Sequence, residues 1–216
     1  MTALVWDTVG ERRFETGVDK GVLYVPSGAH AYGVPWNGLT GIDETADDQV
    51  TTKYLDGVKY LEAKAPGDYS ATLRAYTYPK EFEPFTGLAA ADDGILVGNQ
   101  PSGLFHLSYR TLIGNDVDGV THGYRIHVLW NLVVESSDRS LNSVSDSLEA
   151  SEFSWTIGAI PSVITGFKPT AHLVFDSTRI APASLTAVEA VLYGSNPSGV
   201  SDLPTMQALL TLAVTP

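Results

Sequence analysis

The segment Gly119–Val134 reads GVTHGYRIHVLWNLVV, and its side chains alternate over a long run. Val120, His122, Tyr124, Ile126, Val128, Trp130, Leu132 and Val134 share one parity, against Thr121, Gly123, Arg125, His127 and Asn131 on the other. Successive side chains of a strand point to opposite faces, so this pattern gives one apolar and one mostly polar face. A strand from Val120 to Val134 spans roughly 50 Å at about 3.3 Å per residue. Few strands in compact domains are that long, which suggests a sheet shared across a larger assembly. The preceding stretch places Phe105, Leu107, Tyr109 and Ile113 on one face, against His106, Ser108 and Arg110. Between the two runs, GNDVDG supplies the Asn, Asp and Gly residues that tolerate turn conformations. The whole reads as a hairpin.

The same hairpin holds the residues that most invite a chemical reading. Aligning Gly119 with the glycine of a calcium loop puts Asp116 and Asp118 at ligand positions, yet the bidentate glutamate position falls on Arg125. A cation there excludes the loop. In one register His106 and His127 sit opposite each other on the polar face. Two imidazoles begin a metal site, but the sequence has no cysteine and places no third ligand. The expectation is a partly exposed cross-strand pair and no metal. His122, on the apolar side, reads as a hydrogen-bonded packing residue. Asp47-Asp48 and Asp92-Asp93 read as solvated turns, because adjacent side chains on an extended chain point apart. No G-x-S-x-G elbow, phosphate loop or dinucleotide fingerprint occurs, so no catalytic residue and no cofactor are assigned.

Composition narrows the rest. At 216 residues, 44% hydrophobic and 18% charged, the chain suits one domain or two small ones. The absence of cysteine excludes disulfides, thiol catalysis and cysteine-bound zinc. The start MTALVWDTVGERRF lacks the basic region and apolar run of a signal peptide, and no apolar run approaches the roughly 20 residues that cross a bilayer. Cytosolic synthesis without a membrane partner is expected. The net charge of −12 opposes gripping nucleic acid, which needs Lys and Arg against phosphates.

Strand signals dominate elsewhere. RRFETG and GVLYVP flank VDKG as a hairpin, and WNGLTGIDE reads as a short strand with glycine breaks. TTKYLDGVKYLEA places apolar and aromatic residues on both sides of Asp56-Gly57, the strongest kind of two-residue hairpin signal. Tyr54, Leu55, Val58 and Tyr60 give its tip more apolar surface than a loop needs, which marks it as an assembly element. DYSATLRAYTY alternates Tyr69, Ala71, Leu73 and Ala75 against polar residues until Pro79, and PKEFEPF makes a helical turn between prolines. GLAAADDGILVGNQPSG reads as a loop, as does the Ser-, Asn- and Asp-rich stretch from Glu135 to Glu152. EFSWTIGAIP and AHLVFDSTR are strands. Pro182 starts a helix with an apolar stripe of Leu185, Val188, Val191 and Leu192, ended by Gly194. A second short helix follows, with Ser201 or Asp202 as cap and Pro204 in its first turn.

Several blocks are similar, in the same order, to one known family. GVPWNGLTGIDE, KYLDGVKYLEAKAPGDYSATLRAYTYPKEFEPFTG, FHLSYRTLIGNDVDGVTHGYRIHVLWN, EFSWTIGAIPSVITGFKPTAHLVFDSTR and the ending LYG…LPT resemble the tail tube protein (major tail protein) of long-tailed, non-contractile bacteriophages. The resemblance covers nearly the whole chain, from Gly33 to Met206. It implies a mainly β fold: an antiparallel β-sandwich or barrel with one or two short helices, its inner sheet closed into a barrel across subunits. It implies hexameric rings stacked into a tube, with tape measure, tail tip and tail terminator proteins as partners. DNA would pass through the lumen without specific binding. The location implied is the virion tail, after synthesis in the bacterial host cytoplasm. Residues 1–216 are expected to form a single tube domain without the appended immunoglobulin-like domain of some family members.

Two other classes fit parts of the sequence. A soluble β-sandwich that binds carbohydrate would use exposed Tyr and Trp rings and remain a small oligomer. A hydrolase with an unrecognised site would lose activity on one His or Asp substitution.

Overall fold

The computed structural model describes residues 3–28, 30–46, 49–65, 69–141, 150–194 and 201–214. Its first strands are β1 (Phe14–Ser27), β2 (His30–Pro35), β3 (Leu39–Ala46), β4 (Gln49–Leu55), β5 (Val58–Ala65) and β6 (Tyr69–Ala75). A 3-10 segment, Lys80–Thr86, precedes β7 (Ala89–Asp92), β8 (Ile95–Val97), β9 (Phe105–Asn115) and β10 (Gly119–Arg139). Then come β11 (Phe153–Ala159), β12 (His172–Asp176), α1 (Pro182–Tyr193) and α2 (Met206–Val214). One antiparallel sheet runs in the order β2-β1-β9-β10-β11-β6-β3, with β12 branching from β10. β4–β5 and β7–β8 are separate two-stranded ribbons.

The sheet is apolar on both faces, and its curl follows from where those residues meet. Leu23, Ile42, Leu73, Leu107, Leu129 and Ile157 come from six strands into one cluster. The sheet therefore wraps around that face, and β1 approaches β3 across the gap. The 3-10 segment closes one end with Phe82 and Phe85. Phe82 lies 4.6 Å from Trp36, 5.2 Å from Trp155 and 5.3 Å from Phe105, ring centre to ring centre. Tilted and edge-on aromatic pairs at such spacings attract beyond their area burial. On the outer face, Tyr24, Ile126, Val128, Trp130 and Phe175 pack under Val188 and Leu192 of α1 and Met206 and Leu209 of α2.

β10 belongs to both faces. Ile126, Val128 and Trp130 join the outer cluster, whereas Leu129 and Leu132 join the inner one. The single apolar face read from the sequence is thus incorrect. At Asn131 the backbone turns left-handed (φ 52°), and the register with β9 shifts between Leu129 and Leu132. One extra residue exchanges the faces, because strand side chains alternate with period two. The partner changes at the same place. Arg125 to Leu129 pair with β12, and Leu132 to Arg139 pair with β11. The unusual length of β10 is used within the chain by two successive partners.

Other expectations need correction. β1 is one strand, not a hairpin about VDKG: it pairs with β9 through two register shifts, between Thr16, Asp19 and Val22. Gly17 (φ 69°) and Lys20 (φ 47°) take up those bulges. Arg110 Nε donates to Asp19 Oδ1 at 2.7 Å and fixes the strand between them. The segment after Gly87 is not all loop, since β7 and β8 form an exposed ribbon with Gly94 at φ 78°. The loop expected from Glu135 starts late, because β10 continues to Arg139; residues 142–149 lie outside the described residues. α2 begins at Met206, and its early amides turn to Thr205: Leu209 N–H donates to Thr205 O and Ala208 N–H to Thr205 Oγ1. Ser201 and Asp202 serve elsewhere, Ser201 Oγ donating to Leu192 O and Asp202 accepting from Ala31 N–H.

Candidate functional site

The Asp56-Gly57 hairpin forms as read. Asp56 (φ 50°) and Gly57 (φ 76°) make the two-residue turn between Leu55 and Val58, both in the left-handed conformation that such turns require. β4 and β5 pair with each other and with no other strand among the described residues. The ribbon therefore projects from the body, reaching roughly 20 Å at about 3.3 Å per residue. Tyr54 is 67% exposed, Val58 69% and Tyr60 73%, with Leu55 and Leu61 half exposed. An isolated two-stranded hairpin is marginal in water, so a ribbon this apolar has its burial still to find.

Further apolar groups stand exposed on other projecting segments. Leu4, Val5 and Trp6 precede β1, Ile95 and Val97 lie on the β7–β8 ribbon, and Val163 and Phe167 lie between β11 and β12. Sequence reasoning missed these, because short exposed apolar runs look like core strands until the partners are known. Three of the four tryptophans behave in the opposite way. Trp36, Trp130 and Trp155 are buried, and the indole N–H groups of Trp36 and Trp130 donate to Thr77 O and Pro204 O.

The histidines do not pair as expected. His106 lies opposite Tyr24 on β1, and its Nδ1 accepts the Asn131 N–H at 2.9 Å. Burial lowers its pKa to about 4. His127 lies opposite Tyr109, whose ring stacks on it at 4.7 Å and 5°. Its Nδ1 is 3.1 Å from His172 Nε2 on β12, and each of these nitrogens is 3.9 Å from Glu44 Oε1 on β3. Glu44 Oε1 also accepts hydrogen bonds from the hydroxyls of Tyr69, at 3.0 Å, and Tyr109. β3 pairs with β6 so that Leu39 meets Ala75 at the Phe82 end and Ala46 meets Tyr69 at the other. This polar cluster accordingly occupies the mouth of the curled sheet opposite the aromatic plug.

The electrostatics of the cluster follow from its position. Burial lowers the His172 pKa to about 4, against the pull of the Glu44 carboxylate and with a further fall from His127. Burial lowers His127 as well, outweighing Glu44 and Glu15. For Glu44 burial acts upward, but the Tyr109 hydroxyl, His172, Tyr69 and His127 together hold its pKa below the usual value. Two neutral imidazoles thus face a carboxylate.

The acidic turn is structural. Asn115 Oδ1 accepts the Val117 and Asp118 N–H groups, and Asp116 Oδ1 accepts the Gly10 N–H at 2.9 Å. His122 Nδ1 lies 2.9 Å from Asp118 Oδ2, in keeping with a hydrogen-bonded role. Asp92 and Asp93 stand at the exposed turn between β7 and β8, where Asp92 accepts the Asp93 N–H at 2.8 Å. Asp47-Asp48 lies outside the described residues.

No family model matches the chain, and no curated protein matches its sequence. Solved structures similar to it include a chain of the extended sheath–tube complex of an extracellular contractile injection system, PVC. That chain is 15% identical, with 73% of this chain and 88% of that one covered and a TM-score of 0.36. The extended sheath/tube terminator of PVC is 16% identical, covering 80% of this chain and 99% of that one at a TM-score of 0.34. The tube terminating cap of the anti-feeding prophage is 13% identical, covering 82% and 97% at a TM-score of 0.36.

Proposed function

We propose that this chain is a structural subunit that polymerises with copies of itself, as the tail tube protein of a long-tailed, non-contractile bacteriophage. The observation that carries the reading is the β4–β5 ribbon, which holds Tyr54, Leu55, Val58 and Tyr60 exposed and outside both apolar clusters of the described residues. As an arm between subunits it buries them. Hexameric rings, stacked with the curled sheets closed across subunits, make a conduit for DNA ejection into the host cell, and tape measure, tip and terminator proteins meet the tube along it. The sequence resemblance supports this form of assembly, and the acid excess suits a wall past which DNA slides. In this reading the chain catalyses nothing and works in the virion tail as a single tube domain.

The carbohydrate-binding alternative loses most of its basis in tryptophan, since Trp36, Trp130 and Trp155 lie in the core and only Trp6 of the four is exposed. The test is the double variant Tyr54→Ser, Tyr60→Ser, compared with the parent by negative-stain imaging, light scattering and thermal melting. Burying such side chains stabilises by about 1.5–3 kcal/mol each, and the loss appears where the burial occurs. The expected result is a subunit with near-parent melting that forms no rings or tubes. A large fall in monomer melting places the ribbon in the core and overturns the arm. A parent chain that stays monomeric at high concentration, and enters no tube in infected cells, overturns the function.

A further inference from the structure

We propose that Glu44, His127 and His172 form a zinc site that clips β3, β10 and β12 together at the mouth of the curled sheet. The three donor atoms make a triangle with sides of 3.1, 3.9 and 3.9 Å. A point equidistant from them lies about 2.1 Å from each atom, inside the roughly 2.0–2.2 Å range of zinc bonded to imidazole nitrogen and carboxylate oxygen. Among the described residues this is the group of histidine and carboxylate donors that converges in this way.

The surroundings are those of a ligand shell. A metal-bound histidine is held by a partner on its other ring nitrogen. His127 Nε2 has two, Thr111 Oγ1 at 3.2 Å and Glu15 Oε1 at 3.5 Å. A ligating carboxylate is itself hydrogen-bonded; Tyr69 and Tyr109 both donate to Glu44 Oε1, the donor atom itself, so an ion takes the place of one hydroxyl there while the other keeps the carboxylate oriented. The Tyr109 ring, stacked on His127, and the Tyr69 ring, 5.3 Å from His172 and edge-on, wall the site on two sides. Glu44 is the open side, with over a third of its side chain exposed, so an ion has an entry and a water can fill a fourth position.

Two imidazoles and one carboxylate without a thiolate suit a first-row divalent ion rather than a soft or an all-oxygen site, and zinc takes this donor set. The role is structural. β3 is the last strand of the sheet order and β10 its middle, so one ion would join across the curl strands that share no backbone hydrogen bond. The expectation of no metal rested on the lack of cysteine and of a third ligand placed by the sequence; His127 does not face His106, and the fold brings His172 and Glu44 to it instead. The site stands whether or not the chain polymerises.

The full-length chain, stripped with chelator, is titrated with cobalt(II) as a visible probe and then with zinc. The expected result is saturation at a single equivalent, the intense absorption of four-coordinate cobalt, its displacement by zinc, and a zinc-dependent rise in melting temperature. Glu44→Gln and His172→Gln lose all four responses, while His106→Gln, away from the cluster, keeps them. Nitrogen-15 spectra of the unsubstituted protein guard against variants that fail to fold: zinc shifts the ring nitrogens of His127 and His172 and leaves His106 in place. Absent saturable binding, binding unchanged in both variants, or binding that leaves those ring nitrogens unmoved, the polar cluster is only a hydrogen-bonded network and the site is overturned.

Discussion

Asn131 combines three demands at one backbone position. Its φ of 52° makes the bulge, its Nδ2 donates to Ser162 Oγ at 2.8 Å and Ile160 O at 3.3 Å, and its N–H donates to His106 Nδ1. Asn tolerates the left-handed region better than other residues with a β-carbon. Asn131→Ala should therefore cost about 2–3 kcal/mol in urea unfolding, from strain and from two lost hydrogen bonds. Asn131→Gly relieves the strain and should cost about 1 kcal/mol; equal losses would show that strain contributes nothing. The His106 contact adds a pH dependence. Nδ1 must stay unprotonated to accept the Asn131 N–H, and burial lowers the folded pKa from 6.5 to about 4. Between those values the unfolded chain binds the extra proton, so stability rises with pH across the window and is fully present above it. His106→Asn keeps an acceptor without a titrating group. The difference in unfolding free energy between parent and variant should grow with pH between about 4 and 6.5, and a difference constant with pH would contradict this account.

The elements divide into those that carry the fold and those that leave it. In the β4–β5 ribbon, a β-carbon added to Gly57 meets nothing within 4 Å, so a substitution there is opposed only by its φ of 76°. Gly57→Val should open the ribbon tip and leave the melting of the body unchanged. Hydrogen exchange should show the same division, with ribbon amides exchanging fast and those of β9 and β10 slowly, since local opening follows the number of buried contacts. Ribbon amides as protected as those of β9 would refute it. The parts legible in the sequence are those set by local pattern. Alternation placed β6, β9 and β11, the Asp-Gly pair placed the ribbon turn, and Pro182 with Gly194 bounded α1. Long-range pairing decided the rest. VDKG has turn residues, but β9 supplies a continuous partner and Arg110 pins Asp19, so bulges take the place of a hairpin. The face exchange in β10 was hidden because the even parity stays apolar across Asn131 while the layer beneath it changes. Glu44, His127 and His172 lie 45 to 128 positions apart in sequence, and no local period brings them together.

At the scale of the whole molecule, the acid excess opposes the association that the ribbon favours. Twenty-five acidic against 13 basic residues leave −12 on every copy. Several arginines are already spent within the chain: Arg74 on Asp43, Arg110 on Asp19, and Arg125 on Glu15 and Asp176. Assembly then brings like-charged bodies together, and their repulsion is the salt-sensitive part of the balance. The Debye length falls from about 10 Å at 0.1 M to about 3 Å at 1 M, which removes most repulsion between exposed charges. Burial of the Tyr54 and Tyr60 surface is not screened, and sulfate strengthens it. The critical concentration for polymerisation should therefore fall as sodium chloride rises, and fall further in sodium sulfate at matched ionic strength. DNA binding shows the contrast, because a chain that gripped phosphates would do so best at low salt. No mobility shift of duplex DNA is expected even there. Light scattering against salt reads the first effect and gel mobility the second. Tubes that dissolve as salt rises would mean that ion pairs between subunits, rather than the apolar arm, hold the polymer.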